Sequence, residues 1–303
     1  VSNNTAIGYA ALSLNTTGTN NVAVGYGALD ANTTTSNHVA VGKGALTANT
    51  TGNYNSSLGN QALDANTTGD HNSAFGQTAL GANTTADHNS AFGSNAMADN
   101  TTGSDNCAFG NAALISNTTA SYNTAVGKSA LATNTTGAEN VAIGRQSLFS
   151  NTTANDNISI GVNAMYANTT GKRNVSVGSG ALGANTTADN NTAVGYLALT
   201  ANTTASQNVA VGAFAGEDIT TGSYSTLIGY TAGRNITTAT GNTVVGHNCL
   251  VALQTGNNNV SVGMNNLYQA NGGDNNVAVG SGAGAAVTSG YSNTLIGVNA
   301  GMS

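Results

Sequence analysis

One glycine recurs every seventeen residues along the chain, and the apolar and polar residues around it repeat with the same spacing. The residue before this reference glycine is apolar in all eighteen repeats, and the residue four places after it is most often leucine. Such a constant phase indicates a tandem-repeat architecture. The reference glycines are Gly8, Gly25, Gly42, Gly59, Gly76, Gly93, Gly110, Gly127, Gly144, Gly161, Gly178, Gly195, Gly212, Gly229, Gly246, Gly263, Gly280 and Gly297.

The repeat reads Asn-x-Ala-Val-Gly-x-x-Ala-Leu-x-Ala-Asn-Thr-Thr-Gly-x-x and favours strands over helices. A helix-turn-helix repeat needs about 34 residues, which is twice this length. Residues 21–24 predict a strand that ends at a glycine, and we predict a second short strand around Ala28 and Leu29 before an Asn-Thr-Thr-Gly turn. The predicted fold is all-β, a β-solenoid (β-roll) of eighteen 17-residue coils that stack at about 4.8 Å.

Stacking places equivalent side chains in columns that run along the solenoid. We predict that the apolar column containing Val24, Val41 and Leu58 fills the interior of the coils. An asparagine stands four places before the reference glycine in sixteen repeats, with His38 and Ser225 as the exceptions. We predict a structural asparagine ladder, with amides bonding the coils above and below, at Asn55, Asn72, Asn89, Asn106, Asn123 and Asn140.

The predicted strand carries apolar residues on both faces, because alanines such as Ala23 and Ala40 alternate with the valines. A strand that is apolar on both faces is usually buried on both. We therefore predict that the alanine face, or the leucine edge, packs against other chains. A homotrimer is the preferred interpretation, and a monomeric solenoid with a flat alanine surface is the alternative.

The string Asn-Val-Ala-Val-Gly at residues 208–212 resembles the head repeats of trimeric autotransporter adhesins, the YadA-like heads. Residues 140–144, Asn-Val-Ala-Ile-Gly, carry the same resemblance, which extends over the whole chain. Similar repeats occur in bacteriophage tail fibres. The resemblance implies left-handed β-rolls that assemble as trimers.

Twelve repeats carry Asn-Thr-Thr at one position, and each is an Asn-x-Thr acceptor for N-glycosylation, a motif expected at an exposed turn. Turn chemistry alone is the alternative, since asparagine tolerates left-handed backbone and threonine bonds nearby backbone groups. A third reading is an ice-binding threonine ladder. The candidate glycan-bearing residues are Asn15, Asn32, Asn49, Asn66, Asn83, Asn100, Asn117, Asn134, Asn151, Asn168, Asn185 and Asn202.

The repeat changes after Gly212 without losing phase. In residues 213–303 the asparagine of Asn-Thr-Thr becomes apolar, as at Ile219 and Ile236, and glycine replaces several leucines. We divide the chain into regular coils at 1–212 and variant coils at 213–303 that continue the same solenoid. The variant coils either cap the solenoid or meet a partner, or they reflect ordinary repeat drift.

Composition narrows the functions further. Charged residues make up 6% of the chain and the net charge is −6, which leaves no basic patch for nucleic acid. No apolar run is long enough to span a membrane, and the chain begins at Val1 without a signal peptide, which we interpret as a mature product or a fragment. Cys107 and Cys249 lie too far apart for a disulfide and are interpreted as small core residues.

No catalytic, metal or cofactor site is predicted. His71 and His88 lie one coil apart beside aspartates and are expected to stack, but we interpret them as solvated turn residues. The first hypothesis is a non-enzymatic structural or adhesive fibre segment, extracellular, on a cell surface or a virion, that self-associates as a homotrimer or fibril and binds a cell-surface glycan or receptor. The alternatives are an N-glycosylated extracellular fibril scaffold and an ice-binding solenoid.

Overall fold

The structure, a computed structural model, describes residues 3–302 and divides into two compact units, Val1–Asn155 and Asp156–Ser303. Each unit carries nine strands of three residues, one in every repeat. In the first unit they are β1 (Thr5–Ile7), β2 (Val22–Val24), β3 (Val39–Val41), β4 (Ser56–Leu58), β5 (Ser73–Phe75), β6 (Ser90–Phe92), β7 (Cys107–Phe109), β8 (Thr124–Val126) and β9 (Val141–Ile143). In the second they are β10 (Ile158–Ile160), β11 (Val175–Val177), β12 (Thr192–Val194), β13 (Val209–Val211), β14 (Thr226–Ile228), β15 (Thr243–Val245), β16 (Val260–Val262), β17 (Val277–Val279) and β18 (Thr294–Ile296).

Within each unit, every strand pairs in parallel with the strand of the next repeat. Ala74 of β5 lies opposite Ala91 of β6 in the first unit, and Ser176 of β11 lies opposite Ala193 of β12 in the second. One repeat of seventeen residues is therefore one turn of the solenoid. The prediction of an all-β solenoid is confirmed in both units, and the described residues contain no helix.

The predicted second strand is wrong. The equivalents of Ala28 and Leu29 lie in turns, and Leu80, like Leu29, has a left-handed backbone with φ near 50°. Hydrogen bonds between coils persist there, since the Leu80 N–H donates to Ala96 O at 3.0 Å and the Thr78 N–H donates to Asn60 O at 2.9 Å. Positive φ recurs at every second residue here, at Gly76, Thr78 and Leu80, and the chain stays hydrogen-bonded to both neighbouring coils where it bends.

The core lies on the opposite side of the strand from the predicted one. In the coil of residues 72–88, the strand alanine Ala74 is fully buried together with Ala79 and Leu80. The apolar column before the reference glycine is not the interior: Leu58 is 48% exposed, and Val24 and Val41 are half-buried. The narrow coil accepts a methyl group at the middle of the strand, so the larger neighbours point outward.

The same finding overturns the prediction for the packing between chains. Ala23 and Ala40 face the interior of their own coil, and Leu29 and Leu46 are also fully buried. Neither the alanine face nor the leucine edge is available to another chain. Any association between copies must therefore use another surface of the coils.

In the variant coils of the second unit, a larger residue at one core position accompanies a smaller residue at another. Leu227 replaces the strand alanine, while Gly216 replaces the turn leucine of the preceding coil. A Cβ on Gly216 would lie 2.6 Å from Leu227 Cδ1 and 3.1 Å from Ile219 Cδ1, so the two apolar side chains occupy the space that a leucine leaves. The core keeps its volume, as close-packed interiors require. The predicted boundary at Gly212 falls inside the second unit, and a capping role for residues 213–303 stays a prediction.

Candidate functional site

The asparagines of the Asn-Thr-Thr motif, here called the inner asparagine column, point into the coils. Asn15 is half-buried, and its eleven counterparts from Asn32 to Asn202 have no exposed surface. The prediction that these asparagines sit at exposed turns is therefore wrong. Of the twelve candidate glycan sites, Asn15 is half-buried and eleven are buried, namely Asn32, Asn49, Asn66, Asn83, Asn100, Asn117, Asn134, Asn151, Asn168, Asn185 and Asn202. Glycosylation itself stays a prediction.

Hydrogen bonds explain why the inner asparagine column is buried. Asn83 Nδ2 donates to Asn66 Oδ1 of the preceding coil at 2.8 Å and to Ala86 O of its own coil at 3.1 Å. Asn83 Oδ1 accepts from Asn100 Nδ2 at 3.0 Å. A glycan on Nδ2 would replace a donor hydrogen that the ladder uses, and it would need a path through the stacked coils.

A second set of asparagines, here called the strand asparagine column, precedes the strands. Asn72 Nδ2 donates to Ala86 O at 2.7 Å, and Asn55 Oδ1 accepts from the Asn72 N–H at 2.9 Å. Direct amide-to-amide bonds occur farther along, for example from Asn106 Nδ2 to Asn89 Oδ1 at 3.2 Å. The column is buried at Asn55, Asn72, Asn89, Asn106, Asn123 and Asn140.

Both columns meet at one carbonyl in each coil. Ala86 O accepts from Asn72 at the start of its coil and from Asn83 near its end. Together with the bonds between coils, this contact fastens the turn to the strand and satisfies the buried amides. The coil is too narrow for many large apolar side chains, and hydrogen-bonded asparagines fill part of its interior instead.

Two consecutive coils replace part of this polar arrangement by a pair of matched substitutions. His38 stands where every other coil except that of Ser225 has the strand asparagine, and Thr35 stands where the other coils have glycine or alanine. His38 Nε2 lies 3.0 Å from Thr35 Oγ1, and His38 Nδ1 accepts from the Asn55 N–H at 3.2 Å. The sequence showed His38 as an exception, but its partner became evident only from the structure.

His38 makes the first unit sensitive to acid. Burial lowers the pKa of His38 to about 4, against an opposing effect of nearby Asp70 and of hydrogen bonds to backbone groups. Below the ordinary pKa of 6.5, the unfolded chain takes up a proton that the folded chain does not, so stability falls as the pH drops from 6.5 to 4. The difference between the two pKa values corresponds to about 3 kcal/mol in the free energy of unfolding.

We expect His38→Asn to remove this part of the pH dependence, because asparagine is the ordinary residue of the column. Urea unfolding at pH 7 and pH 4 measures it, and the variant should lose less stability between them than the native protein does. His71→Asn is the control, since His71 is exposed and should leave the difference unchanged. Equal pH dependence in the native protein and in His38→Asn would contradict the buried, neutral imidazole.

The threonine pair lies at the surface, at a turn as predicted. Thr84 is half-buried, and its Oγ1 donates to Thr101 O of the next coil at 3.1 Å. Thr85 is exposed. The hydroxyl of the first threonine is thus engaged with the backbone, which leaves the second as the outward column. Ice binding by these threonines stays a prediction.

The outward face of the strands, here called the strand face, consists of the residues on either side of the central strand residue. It is rich in apolar side chains in each unit, with Leu58 and Phe109 48% and 40% exposed in the first and Ile228 40% exposed in the second. The Phe92 ring stacks on those of Phe75 and Phe109 at centroid distances of 4.7 and 4.5 Å. Alternation along the strand indicated two faces, and the face predicted to be the interior is the exposed one.

His71, His88 and the two cysteines lie outside the two asparagine columns. The His71 and His88 rings stack at 5.2 Å, as expected, and Tyr54 stacks on His71 at 4.9 Å. Among residues 3–302, no group of three or more side chains suited to metal binding is found. Both cysteines are free, and Cys249 is buried as expected, whereas Cys107 lies half-exposed on the strand face rather than in the core.

No protein-family model matches the chain, and no curated protein matches its sequence. Across the described part of the chain, no helix has the length and apolar character needed to cross a bilayer.

Proposed function

We propose that the chain is a non-enzymatic structural and adhesive segment of a fibre, of the kind found in phage tail fibres or bacterial surface adhesins. Its working location is then extracellular, on a cell surface or a virion. The regular stacking of coils supports this proposal, because each coil adds length without adding a new kind of core. The low content of charged residues and the network of buried asparagines fit a scaffold better than a catalytic pocket.

The observation that carries the proposal is the exposed strand face. Apolar side chains follow one another along it from strand to strand, and Leu58, Phe109 and Val126 are each more than a third exposed. Continuous exposed apolar surface of this kind marks an interaction site in proteins that must stay soluble. We propose that copies of the chain associate through the strand face as a homotrimer.

Sedimentation equilibrium tests this association directly. The native protein should have about three times the 29.7 kDa mass of one chain. Leu58→Glu places a charge on the strand face, so it should shift the mass towards that of the monomer without changing the circular-dichroism spectrum. Thr68→Glu, at an exposed turn, is the matched control and should remain a trimer. A native protein that stays monomeric at every concentration would overturn the proposal.

A further inference from the structure

A groove crosses the first four coils of the first unit, on a different side of the coil from the strand face. It has a volume of about 590 Å³ and is lined by Tyr9, Tyr26, Lys43, Gln61, Asp30 and Asp64. This volume lies within the range of small-ligand sites. The groove takes no part in the asparagine columns or in the proposed contacts between chains.

The groove exists because two consecutive coils lack a side chain at the same position. Gly27 and Gly44 occupy the second position after the reference glycine, where later coils carry Thr78 and Asn95. A Cβ on Gly27 would meet no atom within 4 Å, and one on Gly44 would meet its nearest atoms at 3.5 and 3.6 Å. The side chains missing at these positions leave a trough between the Tyr9–Tyr26 pair and the carboxylates of Asp30 and Asp64.

One wall of the groove is aromatic. The Tyr9 and Tyr26 rings stack at 5.4 Å with an interplanar angle of 14°, and they are 76% and 59% exposed. Each ring offers an apolar body and a polar hydroxyl tip. Because the two rings lie face to face, the wall offers their edges, their hydroxyl tips and the face of Tyr26 that points away from Tyr9. That face suits the apolar side of a ring-shaped ligand that carries hydroxyl groups at its edges.

The other groups of the groove are hydrogen-bonding side chains. Asp30 and Asp64 are half-buried, whereas Gln61 and Lys43 are exposed. Burial raises the pKa of Asp64. Carboxylate oxygens accept from hydroxyl groups, the ammonium group donates to them, and the amide does both. The lining holds two carboxylates and one ammonium group, so the charge of the groove disfavours a phosphate or carboxylate ligand.

We propose that this groove binds a neutral oligosaccharide. A sugar ring has a C–H face that packs on an aromatic ring and a rim of hydroxyl groups that both donate and accept. Stacking platforms for nucleic acids are accompanied by basic side chains, and here Lys43 is the single cation of the lining. The inference rests on the proposed adhesive role and gives it a class of ligand.

Isothermal titration calorimetry of the full chain tests the proposal with cellohexaose, laminarihexaose, maltohexaose and mannohexaose, and with hexagalacturonate as the anionic probe. At least one neutral hexasaccharide should bind with a submillimolar Kd and more tightly than hexagalacturonate. Tyr26→Ala should weaken that binding at least tenfold. Tyr196→Ala removes a tyrosine from the same coil position in the second unit and should leave it unchanged.

Gly44→Thr is the more specific test. It fills the trough with threonine, a residue that stands at the equivalent position of another coil as Thr78. Thr78 has φ 52°, close to the 67° of Gly44, so the variant should fold normally and bind at least tenfold more weakly. Binding by Gly44→Thr equal to that of the native protein overturns the proposal, as does the failure of every neutral probe or a preference for hexagalacturonate. The molar mass of Gly44→Thr reports separately on the fibre role, which can hold even if the groove binds no sugar.

Discussion

Gly76→Ala should destabilise the first unit by about 3–5 kcal/mol, the combined cost of a strained backbone and of overpacking. Gly76 has φ 142°, a region that residues with a side chain rarely adopt. A Cβ at this position would lie 2.4 Å from Gly93 O and 2.5 Å from Gly93 C of the next coil. The neighbouring coil must therefore move, and its strand bond from the Gly93 N–H to Phe75 O, at 2.8 Å, would be disturbed.

Gly27→Ala is the matched control, since it adds the same methyl group to a glycine that also has a positive φ. Gly27 has φ 62°, and Ala10 and Ala112 occupy the equivalent position with φ 55°. No atom lies within 4 Å of the added Cβ, so the expected loss is about 1 kcal/mol or less. Urea unfolding midpoints, followed by circular dichroism, compare the two variants. Similar losses for both would show that the coils are not in close contact at the reference glycine.

The repeat and its fold class could be predicted from the sequence because the phase of the reference glycine directly reports the length of one coil. The side of the strand that faces inward could not. Val22, Ala23 and Val24 are all apolar, so the two faces of the strand differ in size rather than in polarity. The dimensions of the closed coil decide between them, and they admit alanine at the centre of the strand.

The inner asparagine column shows a different failure of sequence reasoning. The Asn-Thr-Thr motif has the pattern of a glycosylation site, and asparagine is usually exposed. A signal of its burial was nevertheless present in the sequence. At the same position the variant coils carry Ile219, Ile236 and Leu253, all fully buried, and a position that accepts both asparagine and large apolar residues is typical of an interior.

The groove at Tyr9 and Tyr26 could not be predicted from the repeat pattern. Averaging over the coils defines the consensus, whereas the groove depends on where individual coils depart from it, at Gly27 and Gly44. Both glycines are visible in the sequence. Their left-handed backbone, which decides where a side chain at these positions would point, is a property of the folded turn. Irregular residues in a repeat protein are thus the better guide to binding, and regular ones to the fold.

Deletion of one coil tests the central claim, that each successive window of seventeen residues stacks on the one before it. Removing residues 89–105 joins His88 to Asn106 and restores the repeat order, with every strand and both asparagine columns in line. The free energy of unfolding should fall by about 1 kcal/mol or less, because the coils on either side of the deletion can stack on each other as each stacked on the deleted coil.

Removing the eight residues 89–96 deletes less of the chain but leaves a coil of nine residues. That coil has lost its strand asparagine, its strand and its reference glycine, so it cannot pair with the coils on either side. The loss should exceed about 4 kcal/mol, the range in which single changes disrupt a core.

The decisive measurement is the urea unfolding midpoint of the two deletions beside that of the native protein. If the coils stack, the seventeen-residue deletion should have a midpoint near the native value. The eight-residue deletion should have a much lower midpoint or yield no folded protein. A shorter deletion that is tolerated as well as the longer one, or better, would contradict the solenoid.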